Sequence, residues 1–223
     1  MSEIISLARW QFTAERPPTA ISCVDVWLLE FDEQSSAGTV LLSADEISRS
    51  EKFTNLRMRE FYLQQRAFRR EVLARYLNCP AEQIVFKHQA AGKPVLADYN
   101  NLHFNLTHSG NVCLLAVAEQ YPLGIDIEPR RRVKNWRQIA QRVFPAKWIN
   151  LIDSGQLNTD NFIQYWTRFE AMQKCLGEGV FGKSGQAKLR CRAFLPLPDM
   201  LAHVCLQSAE DFQLRFFRHK KTG

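Results

Sequence analysis

The chain runs to 223 residues, 46% of them hydrophobic and 11% aromatic, enough for one large domain or two compact halves and too apolar for a disordered segment. Lysine and arginine number 29 against 23 acidic residues, a formal charge of +6, so polyanions are the favoured partners: nucleic acid, phosphorylated small molecules or an acidic protein. No apolar run approaches the roughly 20 residues of a membrane-spanning helix, and the opening MSEIISLARWQF has an early acid and no signal-peptide core, which predicts a soluble, cytoplasmic protein without a membrane partner.

Six cysteines, at 23, 79, 113, 175, 191 and 205, stand singly, with no C-x-x-C pair and no histidine at zinc-finger spacing. That pattern predicts reduced, mostly buried thiols.

In chain order, CVDVWLLEF from Cys23 to Phe31 alternates and then runs apolar, as a half-buried strand does. Ser43 followed by Glu46 reads as a capping box opening the first of two helices. In the second, Phe61, Phe68, Val72, Leu73 and Tyr76 recur among arginines up to Asn78, ahead of Pro80. From Ile84 the pattern shortens to strands: IVFKH, a Gly92-Lys93-Pro94 turn, LHFNLTH, VCLLAVAE and LGIDIE, which suggests an antiparallel sheet packed on the helices.

Pro129 and the basic run Arg130, Arg131, Arg132, Lys134 and Arg137 read as a connector, and the run is either a solvated face or a docking surface. Helical pattern returns in NWRQIAQRVF and in TDNFIQYWTRFEAMQKCLG, with Thr159 or Asp160 as the starting cap and Gly177 as the stop. AKLRCRAFLPL, MLAHVCLQS and FQLRFFRH close the chain as strands. The expected class is α+β: two similar halves, 1–128 and 129–223, related by a pseudo-two-fold axis, each with a small antiparallel sheet on helices.

Three patches carry candidate chemistry. Asp126 and Glu128, two apart on a strand, project to one face while Ile125 and Ile127 turn inward. Such a pair is either an ordinary solvated face or a site that a hard cation such as Mg²⁺ would neutralise. Trp166, Glu170 and Lys174 are spaced i, i+4, i+8 along one helix face, either a surface pair or a third carboxylate with a phosphate-seeking lysine. Arg49, Arg66, Lys93, Thr107 and His108 form a dispersed cationic and polar set whose meaning lies in combination.

FNLTHSG, then GIDIE, then WTRFEAMQKCLGEG, in that order and at those intervals, resembles the 4′-phosphopantetheinyl transferase superfamily, in its longer, single-chain, pseudo-dimeric form. The resemblance runs from about Ser43 to Gly179 and takes in the Gly92-Lys93-Pro94 turn. It implies transfer of the phosphopantetheine arm of coenzyme A to a serine of an acyl or peptidyl carrier protein, with release of adenosine 3′,5′-bisphosphate. By the same resemblance Asp126, Glu128 and Glu170 would hold Mg²⁺, or Mn²⁺, which oxygen ligands suit equally. Glu170 and Lys174 would be catalytic; Lys93, Thr107 and His108 would bind coenzyme A phosphates, Arg49 the 3′-phosphate, and Arg66 the nucleotide. Acidic carrier domains would answer the positive charge, and the chain would act as a monomer.

Two departures stand out. The family's Trp-x-x-Lys-Glu has Phe169 at the lysine position, and the loop where many members carry an acid reads FPAKW, with Lys147. A coenzyme A or carrier-binding module with weak turnover is therefore the alternative expectation. A nucleic-acid binder would account for the charge but not for the carboxylates.

Overall fold

The computed structural model describes residues 4–13, 15–18, 22–34, 39–177 and 188–219. Its strands are β1 (Ile4–Leu7), β2 (Gln11–Phe12), β3 (Cys23–Glu30), β4 (Phe86–His88), β5 (Pro94–Leu96), β6 (Leu102–Ser109), β7 (Val112–Glu119), β8 (Leu123–Pro129), β9 (Arg190–Leu195), β10 (Met200–Leu206) and β11 (Gln213–Arg218). Its α-helices are α1 (Ala44–Glu51), α2 (Leu56–Leu77), α3 (Trp136–Val143), α4 (Ala146–Asp153) and α5 (Phe162–Leu176).

Local chemistry sets the helix ends. Ser43 Oγ accepts the Glu46 amide at 3.3 Å while Glu46 Oε2 accepts the Ser43 amide at 3.0 Å, the reciprocal pair of a capping box. Asn55 caps α2 through the Met58 amide, and Asn78, in the left-handed region at φ 51°, ends it. Helix α5 starts one residue later than Asp160, and two later than Thr159, would place it: Asn161 is the flanking residue, its carboxamide oxygen spent on the Asn158 amide outside the helix. Gly177, at φ 70°, stops it as the sequence predicts. FPAKW is not a loop throughout, because Pro145 opens α4 and leaves Lys147 exposed on its first turn.

The strands form a four-stranded sheet ordered β1-β9-β10-β8, a five-stranded sheet ordered β2-β11-β3-β7-β6, and the hairpin β4-β5. Neither large sheet is wholly antiparallel: β1 runs parallel to β9, and β11 runs parallel to both β2 and β3. Sequence order cannot reveal this, since the two chain ends cross over: β1 joins β9 from the end of the chain, and β11 lies between two strands from its beginning. Likewise LGIDIE does not extend the sheet of its predecessors β6 and β7 but pairs with β10.

The layers follow from which faces are apolar. Val24, Val26 and Leu28 of β3 and Leu114 and Ala116 of β7 meet Ile125 and Ile127 of β8 and Ala202 and Val204 of β10 in one core between the sheets. Phe68, Val72 and Leu73 of α2 cover the other face of the five-stranded sheet, through Trp27, Leu115 and Val117. Helices α3, α4 and α5 cover the other face of the four-stranded sheet, through Ala193 and Leu201. The result is a mixed arrangement of helix, sheet, sheet and helix.

The cysteines need one correction. Cys191 on β9 and Cys205 on β10 are directly opposed in the ladder and form a disulfide; Cys23, Cys79, Cys113 and Cys175 are free thiols. Strand register, invisible in spacing, brings the pair together.

Candidate active site

Strand β8 has two faces of opposite character. Ile125 and Ile127 are 0% and 1% exposed in the inter-sheet core, while Gly124, Asp126 and Glu128 turn toward α5. Gly124 is what lets the helix come close: a Cβ there would lie 2.1 Å from the Ala171 carbonyl oxygen and 2.4 Å from the Cys175 amide. The close approach carries Lys174 Nζ to 2.6 Å from Asp126 Oδ1 and 3.3 Å from Thr107 Oγ1. The Thr107 hydroxyl, reaching over from β6, donates to the same carboxylate oxygen at 3.3 Å.

The three carboxylates named by the sequence share one electrostatic neighbourhood. Burial raises the Asp126 carboxyl above its ordinary range, against the pull of Lys174, Thr107 and the Ile127 amide. Glu128 is raised by burial and then by the Asp126 charge, with Arg131, Lys174 and a hydrogen bond from the Trp166 indole working the other way. Glu170 is raised by burial, by Asp126 and by Glu128, with Lys174 opposing. Each acid thus makes the next harder to ionise, and Lys174 is the cation common to all three.

As they stand, no three acidic, histidine or cysteine side chains among the described residues converge closely enough to ligate an ion. The donor chemistry nevertheless suits a hard divalent cation. Asp126 Oδ2 is buried without a hydrogen-bond partner, and the donors are carboxylate oxygens whose mutual repulsion a cation would relieve.

Lys174, His108 and Arg66 form a run of neighbouring basic side chains. His108, at the exposed end of β6, sits edge-on to the Phe61 ring at 5.4 Å, and its imidazole is pushed down by burial and by the Lys174 and Arg66 charges. Arg66 lies over the Tyr62 ring at 4.7 Å and links this group to a cleft of about 590 Å³ between α1, α2 and the β4–β5 hairpin. Arg49, Lys52 and Arg66 line that cleft with Phe86, Gly92 and Pro94. Arg69 and Arg70 line it too, but both are spent on Glu46, at 2.6 and 2.7 Å.

The structure therefore brings Thr107, Asp126 and Lys174 into contact, sets Glu128, Glu170, His108 and Arg66 within electrostatic reach of them, and places Arg49 along the cleft. Lys93 is the exception. Its backbone belongs to the turn at the cleft, but its ammonium turns away to donate to the carbonyls of Leu123, at 2.8 Å, and Lys174, at 2.7 Å. Lys52 and Gly124 escaped the sequence reading. A lysine after a helix is commonplace, and the only signal at Gly124 was a glycine interrupting an apolar strand two residues before an acid.

Residues 29–120 match the profile of the 4′-phosphopantetheinyl transferase N-terminal region, and residues 122–222 that of the 4′-phosphopantetheinyl transferase superfamily. The 4′-phosphopantetheinyl transferase HetI of Nostoc sp. is 32% identical over 165 residues, covering 70% of each chain. The chain belongs to the 4′-phosphopantetheinyl transferase superfamily. Sfp of Bacillus subtilis, also a 4′-phosphopantetheinyl transferase, is 31% identical over 62% of this transferase and 67% of its own length. The L-aminoadipate-semialdehyde dehydrogenase-phosphopantetheinyl transferase of Mus musculus is 30% identical over 62% of this chain and about half (49%) of its own. In the transferase the junction of the two matched regions falls just before β8, so the strand bearing Asp126 and Glu128 lies in the second and Thr107 in the first.

Proposed function

We propose that the transferase moves the 4′-phosphopantetheine arm of coenzyme A onto a serine of an acyl or peptidyl carrier protein and releases adenosine 3′,5′-bisphosphate. The observation that carries this reading is the contact of Lys174 with Asp126 and Thr107, at the meeting point of three carboxylates and a row of basic side chains. A pyrophosphate fits such a boundary, cationic on one side and able to take up a metal on the other.

In this proposal Asp126, Glu128 and Glu170 hold Mg²⁺, or Mn²⁺, which when bound supplies positive charge to the pyrophosphate. Arg66, Thr107 and His108 orient the phosphates of coenzyme A, and Arg49 in the cleft meets the 3′-phosphate. The Lys93 ammonium, spent on two carbonyls, lends the cleft its turn backbone and not its charge. The serine oxygen of the carrier attacks the phosphorus that bears the pantetheine arm, and the bond to the bridging oxygen of the departing adenosine 3′,5′-bisphosphate breaks. The serine proton goes to Glu170, directly or through an intervening water. Lys174 holds the charge growing on the phosphoryl oxygens.

The halves 1–128 and 129–223 are proposed to be related by a pseudo-two-fold axis, with coenzyme A lying in the groove between them. The transferase would work as a cytoplasmic monomer, and no helix among the described residues is long and apolar enough to cross a membrane.

The test is incubation with a fluorescent coenzyme A analogue, Mg²⁺ and a panel of apo carrier domains. Label should appear on at least one carrier, and Asp126→Ala should lower the rate on the order of 10²-fold or more with the circular dichroism unchanged. No label on any carrier, with a known transferase labelling them all, would sink the proposal. Phe169 motivates a second reading, a coenzyme A-binding module without turnover, for which calorimetry would find binding and the panel no transfer.

A further inference from the structure

Strands β6 and β8 pack side by side where the two sheets meet, yet they are hydrogen-bonded neighbours in neither. β8 pairs only with β10, so the amides and carbonyls of its other edge need partners from elsewhere. Side chains of the first half of the chain supply them. Asn105 Oδ1 accepts the Ile125 amide at 2.9 Å, and Lys93 Nζ donates to the Leu123 carbonyl at 2.8 Å.

Lys93 does one thing more. Its second bond, at 2.7 Å, is to the carbonyl of Lys174 in the last turn of α5. Last-turn carbonyls lack partners further along the helix and mark the negative end of its dipole, so a cation is favoured there. One ammonium thus bridges the start of the strand that carries Asp126 and Glu128 and the end of the helix that carries Glu170 and Lys174. Lys174 is held at both ends, its carbonyl by Lys93 and its ammonium by Asp126.

We propose that Lys93 is a positioning residue of the transferase: through the carbonyls of Leu123 and Lys174 its ammonium fixes the separation of the carboxylate strand from the catalytic helix, and it is not a ligand of a coenzyme A phosphate. The proposal rests on the transferase reading above. It separates Lys93 from Arg66, whose side chain lines the cleft.

The experiment compares wild type, Lys93→Met and Lys93→Arg as full chains, with coenzyme A affinity read by calorimetry and kcat on a carrier domain. Lys93→Met should keep the coenzyme A Kd within about two-fold while kcat falls about ten-fold or more, because a small displacement of the catalytic groups costs rate. Lys93→Arg, whose fork can still donate to two carbonyls, should recover most of that kcat. A Lys93→Met variant whose Kd rises about ten-fold with kcat intact would overturn the proposal and make Lys93 a phosphate ligand. Unchanged Kd and kcat would overturn it as well.

Amine-reactive labelling of the wild-type protein, read by mass spectrometry, decides the matter even where Lys93→Met fails to fold. Lys93 should resist modification equally with and without coenzyme A. Ready modification in the free protein and protection only by coenzyme A would overturn the proposal. If the wild-type chain transfers nothing to any carrier, the transferase reading falls, and this labelling pattern still decides the bridge.

Discussion

Phe169 lies beside Glu170 in the chain and apart from it in space. Its ring is 4% exposed and packs against Phe144 at 5.2 Å and Trp148 at 6.0 Å, in the cluster that joins α3, α4 and α5. One residue is about 100° around a helix, so Glu170 can face β8 while Phe169 faces its fellow helices. Installing the family's lysine by Phe169→Lys would bury an unpaired ammonium in an aromatic core and remove the packing. We expect a loss of about 3 kcal/mol or more in urea denaturation, with no gain in kcat. A faster and equally stable Phe169→Lys variant would show that the side chain at 169 reaches the phosphates. Arg168, whose guanidinium lies 5.8 Å over the Trp148 ring, does not replace the missing cation.

At the scale of elements, the site depends on how two pairs dock. Helix α5 meets β8 over Gly124, where a methyl group would strike backbone atoms at 2.1 and 2.4 Å. Backbone cannot rotate out of the way as a side chain can, so the helix must shift bodily. Gly124→Ala should therefore cost about 1–3 kcal/mol in stability and lower kcat by more than it weakens coenzyme A binding. Equal kcat in the variant would disconnect the docking from the rate.

The second pair is α1 on α2, joined by Glu46, which serves its own helix as a capping-box acid and binds Arg69 and Arg70 besides. Burial pushes the Glu46 carboxyl up, but the Ser43 amide and the two guanidiniums outweigh it and leave it below the ordinary 4.5. The stabilisation it gives is therefore complete above about 4.5 and is lost as pH falls through the lowered folded-state value. Acid titration should show the cleft helices loosening below that point. Glu46→Gln should lower stability at neutral pH by about 3 kcal/mol, by leaving two buried arginines without their counter-charge, and should flatten the acid dependence.

At the scale of the molecule, the formal charge is +6, and the densest basic run follows the strand that carries the carboxylates. Arg130, Arg131, Arg132, Lys134 and Arg137 are all exposed and follow directly on the strand that ends at Pro129, and the Arg131 charge reaches the Glu128 carboxylate. Raising salt from about 0.05 to about 0.5 M should increase the KM for an acidic carrier several-fold while kcat changes less, because screening acts on the encounter. A carrier KM indifferent to salt would remove electrostatic steering from the account.

By itself the amino-acid sequence determined what is local or is borne by side-chain identity. The Ser43–Glu46 capping box, the stops at Asn78 and Gly177, and the one-sided display of Asp126 and Glu128 follow from rules that act within a few residues, and the structure has each of them. The family was legible as well, because its motifs keep residue types in order along the chain. Tertiary structure alone decided the parallel pairing of β11 with β3, the transfer of β8 to the other sheet and the disulfide between Cys191 and Cys205. It also decided that the Lys93 ammonium goes to two carbonyls. Each of these depends on partners distant in the chain: residue type sets what a group can bond, and only the packed fold sets which group lies within reach.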